Sequence, residues 1–280
     1  HKKTAEIMLA PNMHGSLKKE NLTESVVKLQ YIAITLLPPR DQYAKHNIPD
    51  DEVILAWCCR SISKSPLKNK KILVTGGPTP VPIDDVRRIT NIFTGELGIK
   101  IACELTLRGC DVIYIHGKSN TAVPDWINYK IAENYQQYKD LVLNTLKMDS
   151  YHTGIFSAAV ADYILPITIS GKIPSKSPAL DIRLKPSEKI IELVRESNPT
   201  LNMITFKYQE NISHEKLMEI ANQRLDRFQT VIANRGEESR MAGSQVAWLV
   251  TKEKDPIKMV SKTEIAKTVA EHLACISHQK

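Results

Sequence analysis

The order of hydrophobic patterns predicts an α/β fold: a doubly wound, mostly parallel, Rossmann-like sheet with helices on both faces. Three observations carry this. Apolar runs of strand length alternate with longer segments whose apolar residues fall at helical spacing. No internal repeat or low-complexity tract interrupts the alternation. The distinctive loops follow predicted strands at their carboxyl ends, where sheets of this kind bind ligands.

In chain order, residues 1–60 read as a strand (5–10), a helix (19–30), a second strand (31–37) and a helix (50–60). "SISKSPLKNK", residues 61–70, is polar, basic and proline-containing and reads as a linker. "KILVTG" (71–76) is a buried parallel strand, and the helix at 95–108 closes on Gly109. Strands at 111–116 and near 127–132, a helix near 135–147 and a strand at 153–159 follow. Beyond a polar stretch come helix 187–196, strand 202–207, helix 213–227 and strands 229–233 and 245–250. An amphipathic helix, "SKTEIAKTVAEHLACI", closes the chain.

The 280 residues suffice for one large domain or two smaller ones with a sizeable core. A formal charge of +7 with 6% aromatics and dispersed Lys/Arg favours a polyphosphate site over nucleic acid. The longest apolar runs fall far short of the roughly 20 residues of a membrane helix, so no membrane partner is expected. The first residue is His1, so a fragment or trimmed product is expected. Five cysteines without CxxC or metal-ligand spacing point to a reducing cytoplasm.

The loop Gly77–Thr94 is the feature in need of explanation. A strand-to-helix turn usually takes about 2–6 residues, yet this one carries three prolines, two aspartates and two adjacent arginines. Gly76-Gly77 permits a tight turn, and Thr94-Gly95 opens a helix whose free N–H groups favour an anion. The spacing matches neither the dinucleotide glycine fingerprint nor a P-loop. Arg87 and Arg88 could clamp a carboxylate or phosphate, or pair with the adjacent Asp84 or Asp85. In "SAAVADYILPITISGKIPSKS" (157–177), Ala158 and Ala159 are small enough for close approach to the backbone. Lys172 and Lys176 lie on a Gly/Ser/Pro-bounded loop, either closing over phosphate oxygens or simply solvated.

Together "ILVTGGPTPVPIDDVRRITNIFTGELG", "SAAVADY", "GKIPSKS", "KPSEKIIELV", "ITFK" and "VIAN" resemble phosphopantothenate–cysteine ligase over about residues 68–275. The resemblance implies a two-step reaction. The pantothenate carboxylate joins the α-phosphate of CTP or ATP, with CTP favoured, and the cysteine amine then attacks the acyl-nucleotide. A site for a triphosphate, a second phosphate and a carboxylate accounts for the long loop. Catalysis would rest on orientation and charge stabilisation, with Mg²⁺ and no protein nucleophile.

By resemblance, Asn91 contacts the acyl-nucleotide and Lys172 closes over the site. Ala158, Ala159 and Asp162 flank the intermediate and nucleotide, and Lys189 reads the base beside Phe206. Arg224 and Arg227 lie near the helix lysines that contact the triphosphate. Gly77, Arg87, Thr94 and Gly95 complete the substrate side. Four departures stand out: Phe93 replaces a hydroxyl, Glu96 a lysine and Arg235 an aspartate, and an arginine is missing near Thr79. Residues 1–60 resemble the tail of the companion flavoprotein decarboxylase, with His14 as a relic contact or a packing residue. The flavin half is absent, so no FMN is expected. A homodimer through the sheet edge near 245–260 is expected, as is a possible decarboxylase partner. The competing expectation is a degenerate binding or structural subunit. An oxidoreductase lacks the glycine fingerprint.

Overall fold

The computed structural model describes residues 7–10, 28, 34–37, 40–42, 45–174 and 179–277. The expected helix at 19–30, His14 and Lys176 lie outside them, Lys28 apart. Two short strands, Ile7–Leu9 and Ile34–Leu36, pair in parallel in the N-terminal part.

The central sheet has eight strands: β1 (Lys71–Gly76), β2 (Asp111–Gly117), β3 (Tyr129–Ala132), β4 (Thr153–Phe156), β5 (Asn202–Gln209), β6 (Thr230–Arg235), β7 (Val246–Val250) and β8 (Ile257–Val260). Their spatial order is β3-β2-β1-β4-β5-β6-β7-β8. From β3 to β6 all neighbours are parallel, and β7 and β8 add an antiparallel edge. The winding direction reverses between β1 and β4. That reversal opens a crevice beyond their carboxyl ends, because the helices that follow the two strands, one at 96–107 and one at 190–197, pack on opposite faces.

Helices α1 (Asp51–Ile62), α2 (Glu96–Leu107), α3 (Tyr135–Met148), α4 (Ile190–Ser197), α5 (His214–Arg224), α6 (Gly236–Ala242) and α7 (Lys262–Ser277) surround it. The period-two alternation of the strands decides which face each residue serves. Ile72 and Val74 of β1 join Ile101 and Leu105 of α2 and Val269 and Leu273 of α7. Leu73, between them, joins Tyr138 and Val142 of α3 and Val194 of α4 on the opposite face. Burying each such side chain contributes about 1.5–3 kcal/mol. A strand buried on both faces therefore reads as an unbroken apolar run.

Several expected boundaries move. Residues 61–70 are folded rather than extended as a linker: Leu67 is fully buried, and the Asn69 amide donates to the Gly109 carbonyl at 2.8 Å. One leucine landing on the core outweighs the polarity around it. The strand expected at 153–159 ends at Phe156, and the helix expected to reach 227 ends at Arg224. Helix α6 and edge strand β8 carry too little periodic apolar pattern to be anticipated.

Candidate ligand cleft at the sheet switch point

The long loop after β1 is a small hairpin, with Val81–Pro82 paired to Arg88–Ile89. Asp84 closes its turn by accepting from the Val86 and Arg87 amides. The segment after β4 runs beside the base of this loop. The Ala159 amide donates to the Gly77 carbonyl at 2.9 Å, and the Ala161 amide to Thr79 Oγ1 at 2.8 Å. Asn91 ties the far end of the loop to the same segment. Its Nδ2 donates to the Ala159 carbonyl at 2.7 Å, while its Oδ1 accepts from the Phe93 amide at 3.1 Å.

The start of α2 is equally fixed. Gly95 has φ +85°, and a Cβ there would lie 2.7 Å from Gly77 Cα and 2.8 Å from His116 Cε1. Only a glycine combines that dihedral with that approach. Beneath it, Ser119 Oγ donates to the Thr94 carbonyl at 2.7 Å and so accepts from His116 Nε2 at 3.1 Å. His116 Nδ1 lies 2.9 Å from the Tyr114 hydroxyl. The network therefore places a proton on Nε2 of the histidine, while the Tyr114 hydroxyl also reaches the Gly95 carbonyl at 3.4 Å and so does not by itself fix the state of His116 Nδ1. Burial keeps it neutral by pushing its pKa below the usual histidine range.

These elements wall a cleft of about 770 Å³, lined by Gly77, Asn91, Thr94, Gly95, Ala158, Ala159, Asp162, Lys189, Phe206 and Arg224 among others. Except for Lys172, Arg87 and Arg227, every residue implied by the resemblance meets there. Lys189 pairs with Asp162, and Lys262 at the start of α7 pairs with Glu96 at the start of α2. Lys262 also holds the Glu96 carboxyl below the usual range, with Lys100 adding to the effect. Phe93 meets Tyr208 edge-to-face, with ring centroids 5.3 Å apart, fastening the loop to the end of β5.

The three exceptions have physical reasons. Arg87 is bound to Asp84 and donates to the Ile173 carbonyl at 3.3 Å. Lys172 sits between Gly171 and Ile173, whose amides donate to Asp85 and Asp84, so its segment is fastened to the hairpin turn. Arg227 pairs with Glu192 at 2.7 Å. Sequence reasoning missed Thr205, Lys207 and Lys262 in the lining. For the first two, the available signal was their place beside Phe206 at the carboxyl end of the strand "ITFKYQ", where sheets of this kind bind ligands.

Mg²⁺, which the resemblance implies, calls for carboxylates that are free to bind it. In the cleft, Glu96, Asp162, Glu188 and Glu192 are each engaged by a lysine or arginine. Among the described residues no three His, Cys, Asp or Glu side chains gather as a metal cage. The described residues thus build no cage of their own for the ion, and magnesium that arrives on the phosphates of a nucleotide needs none. All five cysteines are free, and burial pushes the Cys110 thiol up to about 12. Among the described residues, no helix is long and apolar enough to cross a membrane.

Residues 67–276 match the family model described as the DNA/pantothenate metabolism flavoprotein C-terminal domain. The chain is 31% identical over 223 residues to the coenzyme A biosynthesis bifunctional protein CoaBC of Thermococcus kodakarensis, a match that covers 79% of this chain and 55% of that protein. It spans about half the length of the first curated relatives it matches. The DNA/pantothenate metabolism flavoprotein of Streptococcus pneumoniae superposes with a TM-score of 0.64 at 29% identity, covering 74% of this chain and 99% of that one. A Cab2 mutant in complex with phosphopantothenate-cysteine shares the fold, with a TM-score of 0.51 at 20% identity over 82% of this chain and 96% of that one. The chain belongs to the DNA/pantothenate metabolism flavoprotein C-terminal domain family, the phosphopantothenate–cysteine ligase family whose motifs it carries.

Proposed function

We propose that this chain joins 4′-phosphopantothenate to L-cysteine at the expense of a nucleoside triphosphate, with CTP favoured over ATP. One observation carries the reading. A single cleft at the β1/β4 switch point gathers Asn91, Ala158, Ala159, Asp162, Lys189, Phe206 and Arg224 from separate segments of a chain in this family. In the first step a pantothenate carboxylate oxygen attacks the α-phosphorus, and pyrophosphate leaves. In the second, the cysteine amine attacks the acyl carbon, the nucleoside monophosphate leaves and the amine gives up a proton. The protein's part is to align two anionic reactants and screen their repulsion, a positioning task that suits a rigid walled cleft. Phe206 offers a face to the base, Arg224 a cation to the phosphates, and the Gly95 turn the N–H groups at the start of α2. Lys172 stays in the proposal as a group that closes over the reactants, a movement in which its segment leaves Asp84 and Asp85 of the hairpin turn. A homodimer through the β8 edge, where Ile257 and Val260 are exposed, belongs to the same reading.

The test is pyrophosphate release by the purified chain. Release that requires both 4′-phosphopantothenate and the nucleotide supports the ligase. Glu96, where the family carries lysine, favours a second reading: a nucleotide-binding subunit without turnover that assembles with a flavoprotein decarboxylase. Saturable nucleotide binding with no pyrophosphate released would establish that alternative.

A further inference from the structure

Lys207 differs from the other lysines of the cleft. Lys189 and Lys262 are neutralised by Asp162 and Glu96. Among the described residues, the Lys207 ammonium has no hydrogen-bond or ion-pair partner. It is half-buried on β5, on the same face as Thr205 two residues earlier. Thr205 is fully buried, lines the cleft, and its Oγ1 has no partner. Arg224 reaches the same wall from α5, its guanidinium 5.3 Å from the centre of the Phe228 ring and its Nε buried without a partner. Burial pushes the Lys207 ammonium below the usual lysine range, and Arg224 and Lys189 act in the same direction against Asp162. Two desolvated cations beside an unsatisfied hydroxyl are unfavourable until an anion arrives.

We infer that Lys207, with Arg224 and the Thr205 hydroxyl, forms a clamp for a phosphoryl group. A carboxylate has two oxygens and would be filled by the arginine fork alone. A phosphoryl group has further oxygens for a compact ammonium and a hydroxyl. The choice of ligand rests on the ligase reading: the group is either the triphosphate of the nucleotide or the 4′-phosphate of phosphopantothenate.

Calorimetric titration of the full chain tests this with tripolyphosphate, CTP, ATP, 4′-phosphopantothenate and cytidine, on the parent, Lys207→Met and Lys207→Arg. Lys207→Met should weaken one class of phosphorylated ligand by about tenfold or more and leave cytidine unchanged, while Lys207→Arg stays within about threefold. Joint loss of tripolyphosphate and nucleotide assigns the triphosphate. Loss of phosphopantothenate alone assigns the 4′-phosphate. Ligand-free Lys207→Met should melt no lower than the parent, because an uncompensated charge has been removed. Phosphorylated ligands held within twofold by Lys207→Met would overturn the clamp, as would a parent that binds none of them. A lower melting temperature with equal losses for cytidine would also overturn it, marking a structural lysine. Lys207-dependent tripolyphosphate binding without pyrophosphate release from both substrates would leave the clamp standing and defeat the ligase reading.

Discussion

In the loop after β1, Arg87 is bound to Asp84 outside the cleft lining; at the cleft itself Asn91 spends both ends of its amide on backbone, and Glu96 is held by Lys262. On the facing wall, formed by β5 and α5, Lys207 and the Arg224 Nε are unpaired and Thr205 Oγ1 is unsatisfied. The first wall spends its polar groups on its own shape. The second keeps them available at a cost in stability, the usual condition of a surface that waits for a ligand. Substitutions on the loop wall should therefore appear chiefly as lost stability, and those on the β5 wall as lost affinity.

The largest effect is expected at Gly95. Alanine there would force a positive φ and press a methyl group against Gly77 and His116. Gly95→Ala should cost about 3 kcal/mol, a fall of roughly 5 °C in melting temperature for a chain of this length. A scanning calorimetry midpoint within 2 °C of the parent would show that the turn relaxes and that the loop wall is not rigid.

Asn91→Asp comes next. The carboxylate would face the Ala159 carbonyl, where the amide now donates at 2.7 Å. The expected cost is about 2 kcal/mol. The resemblance assigns Asn91 to the acyl-nucleotide, whereas the geometry shows a brace. Melting temperature and pyrophosphate release, measured together, separate the roles. Normal turnover in a destabilised but folded variant would leave only the brace.

Asp84 gives the hairpin of the same loop a pH signature. The Ile173 amide is the leading cause that holds its pKa at about 2 rather than 3.8, with the Val86 and Arg87 amides and the Arg87 guanidinium assisting against burial. Because the folded value is the lower one, the stabilisation is full above 3.8 and is lost as pH falls towards 2. Asp84→Asn should flatten the melting temperature across that window. An unchanged slope would remove Asp84 as the source of the acid sensitivity.

The reading from sequence reached far on strands and less far on charges. "KILVTG" and "TGIF" are apolar runs buried on both faces, so β1 and most of β4 were legible, whereas the strand order that makes a switch point between them was not. The hairpins were not, because a two-residue ribbon such as Val81–Pro82 with Arg88–Ile89 has no period to detect. Charge pairing was legible only where it is local. Asp84 with Arg87 was weighed from the sequence, while Glu96 with Lys262 and Asp162 with Lys189 join residues far apart in the chain. Lys207 was overlooked because an unpaired cation is recognised only once the pairing of every neighbour is known.

The smallest effect is expected at Arg227, which sharpens the contrast with Arg224 on the same wall. The resemblance places both near the triphosphate. Arg227 is half exposed and bound to Glu192 at 2.7 Å, whereas Arg224 lies within the cleft lining. A half-exposed ion pair is worth about 0–1 kcal/mol, so Arg227→Ala should barely move the melting temperature. Its effect on nucleotide should be indirect: Glu192 lines the cleft, and losing its partner exposes a carboxylate to the incoming phosphates. The expected loss is about twofold in affinity, smaller at high salt, where such repulsion is screened. Adding Glu192→Gln should restore it. Arg224→Ala, which removes a cation from the lining itself, should cost about tenfold and gain nothing from Glu192→Gln. If Arg227→Ala proved as costly as Arg224→Ala and Glu192→Gln failed to rescue it, Arg227 would have to leave Glu192 for the phosphates. The β5 wall would then rearrange on binding rather than wait in place.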